Sequence, residues 1–205
     1  MATVLWARHG ENVANLTQTF SYRVFDGDLT PAGRRQARAL AARLAGRDSD
    51  PVGRLVCSPL RRARQTAEIV AQLLALPIAA ERDDLRELNV GDLDGRSDEQ
   101  SWRVYDGVLA AWRAGQLDTR FPGGESCVEL HRRVSAAIAA VTGPADGAAT
   151  VIVAHGGALR MCLPLLTGDP DPGTDLPYAH YAELETAAGA RPRLVSWPAA
   201  AATGL

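Results

Sequence analysis

Lysine is absent from this chain of 205 residues, whose 22 basic residues are all arginine. That absence excludes chemistry built on a lysine amine, such as P-loop nucleotide hydrolysis or a Schiff-base or pyridoxal enzyme. With abundant alanine, it reads as a GC-rich coding bias. Long apolar runs are missing too. No stretch of about 18 uncharged apolar residues occurs, so no membrane-spanning helix is expected. The opening MATVLWARHGE reaches Arg8 and Glu11 too soon for the apolar core of a signal peptide, and a cytoplasmic location is the expectation. Cysteine is sparse: Cys57, Cys127 and Cys162 are odd in number and far apart. They fit neither a disulfide framework nor a zinc-ligand spacing, and are expected to be buried small apolar residues. An excess of one charge is also lacking. The net charge of −2 is spread over interleaved signs, which predicts neither a nucleic-acid nor an anionic-membrane partner.

What is present is an alternation of strand-like and helix-like segments. The length fits one domain spanning 1–205, because chains usually divide only above roughly 250 residues. Thr3 to Arg8 reads as the first strand, followed by a polar, glycine-containing loop to about Leu29. Thr30-Pro31 supplies an N-cap and a first-turn proline for a helix over 31–46, with Ala37, Leu40, Ala41 and Leu44 on one face. Arg54 to Cys57 is the second strand. Ser58-Pro59 repeats the cap-and-proline signal for a helix over 59–75. Ile78 to Glu81 is a third strand, and Leu85 to Gly95 a loop rich in glycine and acid. Helices near 98–115 and 125–142 follow, then the charge-free strand Thr150 to Ala154. A helix over 157–167 contains Pro164, which predicts a kink or an early break. Weaker strands near 180–185 and 193–197 precede an alanine-rich tail. The pattern predicts an α/β fold, a three-layer α/β/α sandwich with a mostly parallel central sheet.

Two strand ends carry the same kind of cluster. The first strand runs into Arg8-His9-Gly10-Glu11, and the most apolar strand runs into His155-Gly156-Gly157. In open α/β sheets, ligands sit beyond the carboxyl ends of strands. Each histidine is followed by glycine, which lets a backbone approach a ligand closely.

Arg8-His9-Gly10-Glu11 with Asn15 resembles the signature of the histidine phosphatase superfamily, the phosphoglycerate-mutase-like fold. The resemblance continues in order through Leu29-Thr30-Pro31-Ala32-Gly33 and through Ser58-Pro59-Leu60-Arg61-Arg62-Ala63-Arg64-Gln65-Thr66-Ala67. Glu87 with Gly91 and Gly95, then Gly123-Gly124-Glu125-Ser126, then His155-Gly156, complete it. It covers about residues 3 to 160, and its ordered combination is specific.

The resemblance implies a covalent phosphohistidine on His9, without metal or other cofactor. A neutral imidazole can attack phosphorus through one nitrogen if the other donates its N–H to a fixed acceptor. Arginine forks neutralise the phosphoryl oxygens, because phosphoryl transfer is catalysed mainly by positioning and charge. Arg8 and Arg62 are the candidates; Arg62, which directly precedes Ala63, aligns with the family's phosphate-binding arginine, while Arg61 is expected to face solvent or an acid. His155, if protonated, would supply a further positive donor, and the Gly156 N–H one more. Asn15 matches the position whose amide contacts phosphate; Thr17 and Gln18 are weaker contacts or loop-capping residues. Glu87 occupies the loop position of the general acid in one branch, where it would protonate the leaving alkoxide and then deprotonate water. Otherwise it is a loop acid paired with Arg86, with Asp83, Asp84, Asp92 and Asp94 as lesser competitors. Glu11 is expected to pair with the phosphate-binding arginines, and His131 and His180 to be structural.

Phe20, Tyr22 and Phe25 crowd one loop, and Trp102, Tyr105 and Trp112 one helix. They either pack loop on helix or face an apolar part of the substrate. The expected activity is hydrolysis of a small-molecule phosphomonoester by a metal-independent phosphatase. Against a phosphoglycerate mutase stand the short segment between Glu87 and His155, the dispersal of Arg103, Arg113 and Arg120, and the loop after Asn15. A non-catalytic phosphate-binding scaffold is a third reading, opposed by the presence of both histidines, both arginines and Glu87. Some members form dimers, so the resemblance is compatible with a homodimer.

Overall fold

A computed structural model describes residues 1–142, 148–187 and 189–198. The expected alanine-rich tail lies outside the described residues. Six strands form one sheet: β1 (Ala2–Arg8), β2 (Val52–Cys57), β3 (Ile78–Glu81), β4 (Ala149–Ala154), β5 (Tyr181–Thr186) and β6 (Arg193–Ser196). Their order is β3-β2-β4-β1-β5-β6. The pairs β2–β3, β2–β4 and β1–β4 are parallel, while β5 runs antiparallel to both β1 and β6. Only β5 therefore opposes the others, and the sheet is mostly parallel as the alternation predicted.

Side-chain alternation along the central strands sorts the core into two layers. Val4 and Trp6 of β1, with Ile152 and Ala154 of β4, face α5 (Cys127–Val141) and α6 (Gly156–Thr167) through Leu130, Val134, Leu159 and Leu163. Leu5 and Ala7, with Val151 and Val153, face α2 (Pro31–Ala45) and α3 (Arg61–Leu74) through Leu40, Leu44, Ala67 and Val70. Every residue of β4 is buried, which explains its charge-free sequence. Cys57, Cys127 and Cys162 are buried free thiols within this core. No helix among the described residues is long and apolar enough to cross a membrane.

Several local expectations are corrected. The loop after β1 contains a short helix, α1 (Val13–Leu16), closed by a reciprocal capping box between Asn12 and Asn15. Helix α3 begins at Arg61 with Leu60 as an N-cap that offers no side-chain bond, so Ser58 is not the cap its sequence context suggested. Pro164 does not break α6, which continues to Thr167. It lies one turn from the helix end, where its missing N–H removes a single bond. The helix expected near 98–115 is α4 (Glu99–Arg113), capped by Asp98.

Candidate active site

Strand register brings the key residues into line. Arg8 pairs with Ala154, and Cys57 with Val153, so β1, β2 and β4 end nearly level. The next residue of each strand is His9, Ser58 or His155. His9 N–H donates to Ala154 O and Ser58 N–H to Val153 O, both at 2.9 Å, extending the ladders by one rung. Beyond this edge opens a cavity of about 400 Å³ lined by Arg8, His9, Asn15, Arg62, Glu87 and Gly156, among others. His155 lies fully buried behind it, its ring centroid 5.2 Å from that of His9. All seven residues expected at the site converge.

The tautomer of His9 follows from its partners. Nδ1 lies 2.7 Å from Gly10 O, a carbonyl that can only accept, so the ring proton sits on Nδ1. Nε2 in turn accepts the Nε–H of Arg62 at 3.0 Å. Burial, then the Arg62 and Arg8 guanidiniums, hold its pKa well below the ordinary 6.5. The free ring is neutral, with its lone pair on Nε2. His155 is likewise kept neutral by burial, Arg62 and His9.

The two arginines are held in different ways. Arg8 donates through Nη1 to Leu176 O at 2.7 Å, and its guanidinium lies 3.9 Å from the Tyr178 ring centroid. Arg62, only 3% exposed, donates to the Ser21 hydroxyl at 3.0 Å and the Ser21 carbonyl at 3.1 Å. Arg61 faces outward and pairs with Asp28. Glu11 pairs with neither Arg8 nor Arg62. It accepts the Thr30 hydroxyl at 2.6 Å and so ties the loop to the start of α2. Asn15 uses its Oδ1 to accept from Asn12 N–H at 3.1 Å, which leaves the amide NH₂ as its donor end beside the cavity. Thr17 caps α1, and neither it nor Gln18 lines the cavity.

Glu87 is not paired with Arg86, which binds Asp83 instead. Its Oε1 accepts Leu88 N–H at 3.0 Å and Ala158 N–H at 2.6 Å, the latter an otherwise unpartnered amide in the first turn of α6. Oε2 accepts no hydrogen bond among the described residues. A Cβ at Gly157 would stand 2.9 Å from Glu87 Oε1, and one at Gly156 3.0 Å from Arg8 Cδ, so either would push the neighbouring side chain aside. Gly10, by contrast, serves packing: a Cβ there would meet Gly33 O at 2.4 Å. Asp83, Asp84, Asp92 and Asp94 do not line the cavity; Asp94 instead accepts three backbone N–H groups, from Tyr22, Arg23 and Val24.

Arg133 was not singled out by sequence. It forms a two-pronged ion pair with Glu125, at 2.9 and 2.7 Å, and donates to the carbonyls of Asp84, Arg86 and Glu87. It therefore nails down the loop that presents Glu87. The signal was its helical spacing: it lies three residues after buried Leu130 and four before buried Ala137.

The aromatic clusters divide. Phe20 packs on Trp102 and Tyr105, with centroids 4.2 and 5.1 Å apart, and all three line the cavity. Tyr22 and Phe25 do not line it, and Trp112 packs on Phe121 in the core. His131 meets Ser135 and His180 meets the Tyr178 carbonyl, both away from the cavity.

Residues 4–199 match the model of the histidine phosphatase superfamily (branch 1). A probable phosphoglycerate mutase, GpmB, of Yersinia enterocolitica is 34% identical over 176 residues, covering 83% of this chain and 77% of its own. A metal-independent phosphoserine phosphatase of Arabidopsis thaliana is 32% identical over 158 residues, covering 77% and 65%. Among solved structures, a mycobacterial glucosyl-3-phosphoglycerate phosphatase complexed with VO3 superposes with a TM-score of 0.80 at 28% identity. That match covers 98% of this chain and all of the other.

Proposed function

The chain belongs to the histidine phosphatase superfamily, and on that premise we propose that it hydrolyses a small-molecule phosphomonoester through a phosphohistidine on His9. The observation that carries this reading is the tautomer of His9. With Nδ1–H fixed on Gly10 O, the Nε2 lone pair faces the Arg62 guanidinium beside the cavity.

In the proposed reaction Arg8, Arg62 and the Asn15 amide hold the phosphoryl oxygens, and first-turn amides of α6 at Gly156 add a donor. Nε2 attacks phosphorus as the bond to the ester oxygen breaks, and Glu87 gives that oxygen its proton. A water then loses a proton to Glu87 and attacks phosphorus. The N–P bond breaks, inorganic phosphate leaves, and both His9 and Glu87 return to their starting states. The charge on phosphorus is met by guanidiniums, so the proposed chemistry requires no metal or other cofactor. Phosphatase names among both the sequence relatives and the structural neighbours support hydrolysis. We place the reaction in the cytoplasm, a reading supported by three free thiols, which are usual where cysteines stay reduced.

The test is a phosphate-release screen over a broad panel of phosphorylated metabolites with EDTA present. Release from a subset of the panel is expected. A mutase would instead interconvert phosphoglycerates without releasing phosphate, and would need priming by a bisphosphoglycerate.

A further inference from the structure

We propose that Ser58 is a positioning residue for His155: its hydroxyl donates to Nε2 and keeps the ring proton on Nδ1, where it meets an oxygen of the transferring phosphoryl group. The proposal rests on the phosphoryl-transfer reading of the site and adds to it the state of its second imidazole.

Ser58 is placed for this by the sheet. It is the first residue beyond β2, and His155 the first beyond the neighbouring β4. The Ser58 Oγ lies 2.8 Å from His155 Nε2, and both residues are fully buried. Because α3 starts at Arg61, the hydroxyl is not consumed as a helix cap. It does accept the Leu60 N–H, at 3.3 Å, which uses one of its two lone pairs.

Counting donors then separates the two neutral tautomers. If Nε2 carried the hydrogen, it would donate to the remaining Oγ lone pair. The Ser58 O–H would then have no acceptor among its hydrogen-bond partners, and the buried Nδ1 would present a bare lone pair to an incoming anion. Two groups would be unsatisfied and one would repel the ligand. If Nδ1 carries the hydrogen, the Ser58 O–H donates to Nε2, and one group is left over: the Nδ1–H itself. Nδ1 is indeed a buried side-chain nitrogen without a hydrogen-bond partner among the described residues. A buried N–H without an acceptor is costly, and a phosphoryl oxygen is the acceptor the site is built to receive.

If the bound dianion draws a second proton onto the ring, the Ser58 hydroxyl rotates to accept from Nε2–H, which leaves its own O–H without an acceptor among its partners, and Nδ1–H is unchanged. Burial and Arg62 keep the ring neutral, so it is the serine that decides which nitrogen is the donor.

The experiment uses full-length protein labelled with ¹⁵N-histidine, read by long-range ¹H–¹⁵N spectra without ligand, with His155 assigned by its loss in His155→Gln. Wild-type His155 is expected to show a protonated Nδ1 and an unprotonated Nε2. In Ser58→Ala the Nε2–H form is expected to appear, and orthovanadate affinity to fall about tenfold for the loss of one oriented hydrogen bond. Ser58→Thr, which keeps the hydroxyl, is expected to restore both. A wild-type ring with its proton on Nε2 overturns the proposal, whether or not Ser58→Ala folds. So does a Ser58→Ala protein that retains the wild-type tautomer and vanadate affinity. The tautomer is read without substrate, so failure to trap a phosphohistidine would count against hydrolysis through His9 and not against this proposal.

Discussion

Arg62 sets its Nε–H on the lone pair of His9 Nε2, at 3.0 Å. The cation proposed to bind the phosphoryl group thus also aligns the nitrogen proposed to attack it. A ligand oxygen has to draw the guanidinium from that contact, while Ser21 and Asp26 hold its other end, Asp26 at 3.6 Å. Binding and exposure of the nucleophile become one event. Removing Arg62 should therefore cost more than a phosphate contact. Arg62→Ala is expected to lower kcat/KM by about 10²–10³-fold. Arg62→Lys should recover only part, because an ammonium has no planar fork to serve both Ser21 and a phosphoryl oxygen. Steady-state kinetics with p-nitrophenyl phosphate check both.

Glu87 offers a single free oxygen, since Oε1 is engaged by the amides of Leu88 and Ala158. Glu87→Gln keeps the shape but cannot deliver a proton. It should slow alkyl phosphates far more than p-nitrophenyl phosphate, whose leaving group hardly needs one. Equal slowing across leaving groups would remove Glu87 from the role of acid.

Arg133 and Glu125 are both largely buried, with side chains 19% and 8% exposed. Breaking such a pair strands the remaining charge and typically costs roughly 3–5 kcal/mol. Arg133→Met should lower the urea midpoint accordingly and reduce kcat as well, because the Glu87 carbonyl loses its anchor. A variant of reduced stability with unchanged kcat at low temperature would separate the fold from the site.

His9 and His155 are neutral in the fold, with pKa values held well below 6.5. In the unfolded chain both take up protons as pH drops through 6.5, so the unfolded state binds more and stability falls below that pH. Burial of His131 acts in the same direction. Asp98, lowered to about 2, adds its loss only in stronger acid. Melting temperature should therefore decline between pH 7 and pH 5, and the decline should be shallower in the His9→Gln, His155→Gln double variant.

Much of this was legible in the sequence because it obeys periodicity. The charge-free β4 and the helical stripe of Ala37, Leu40, Ala41 and Leu44 place the sheet and a covering helix without further information. The histidines and Arg8 were legible because they end strands and stand in motifs whose order resembles that of the family. What escaped were contacts decided by long-range packing. Ser58 looks like a helix cap until β4 sets His155 beside it, and the role of Arg133 emerges only when Glu125 and three loop carbonyls close around it. Glu11 was misassigned for the same reason: its partner, the Thr30 hydroxyl, comes from a distant helix start rather than from the neighbouring arginines.

The central claim is that the imidazole at position 9 carries the phosphoryl group. Rapid quenching with ³²P-labelled substrate in the presence of EDTA, followed by acid and base treatment of the denatured protein, tests it most directly. A label stable in base, lost in acid and absent from His9→Ala is the predicted result. Turnover that proceeds with no such adduct, or an adduct that survives in His9→Ala, would contradict it.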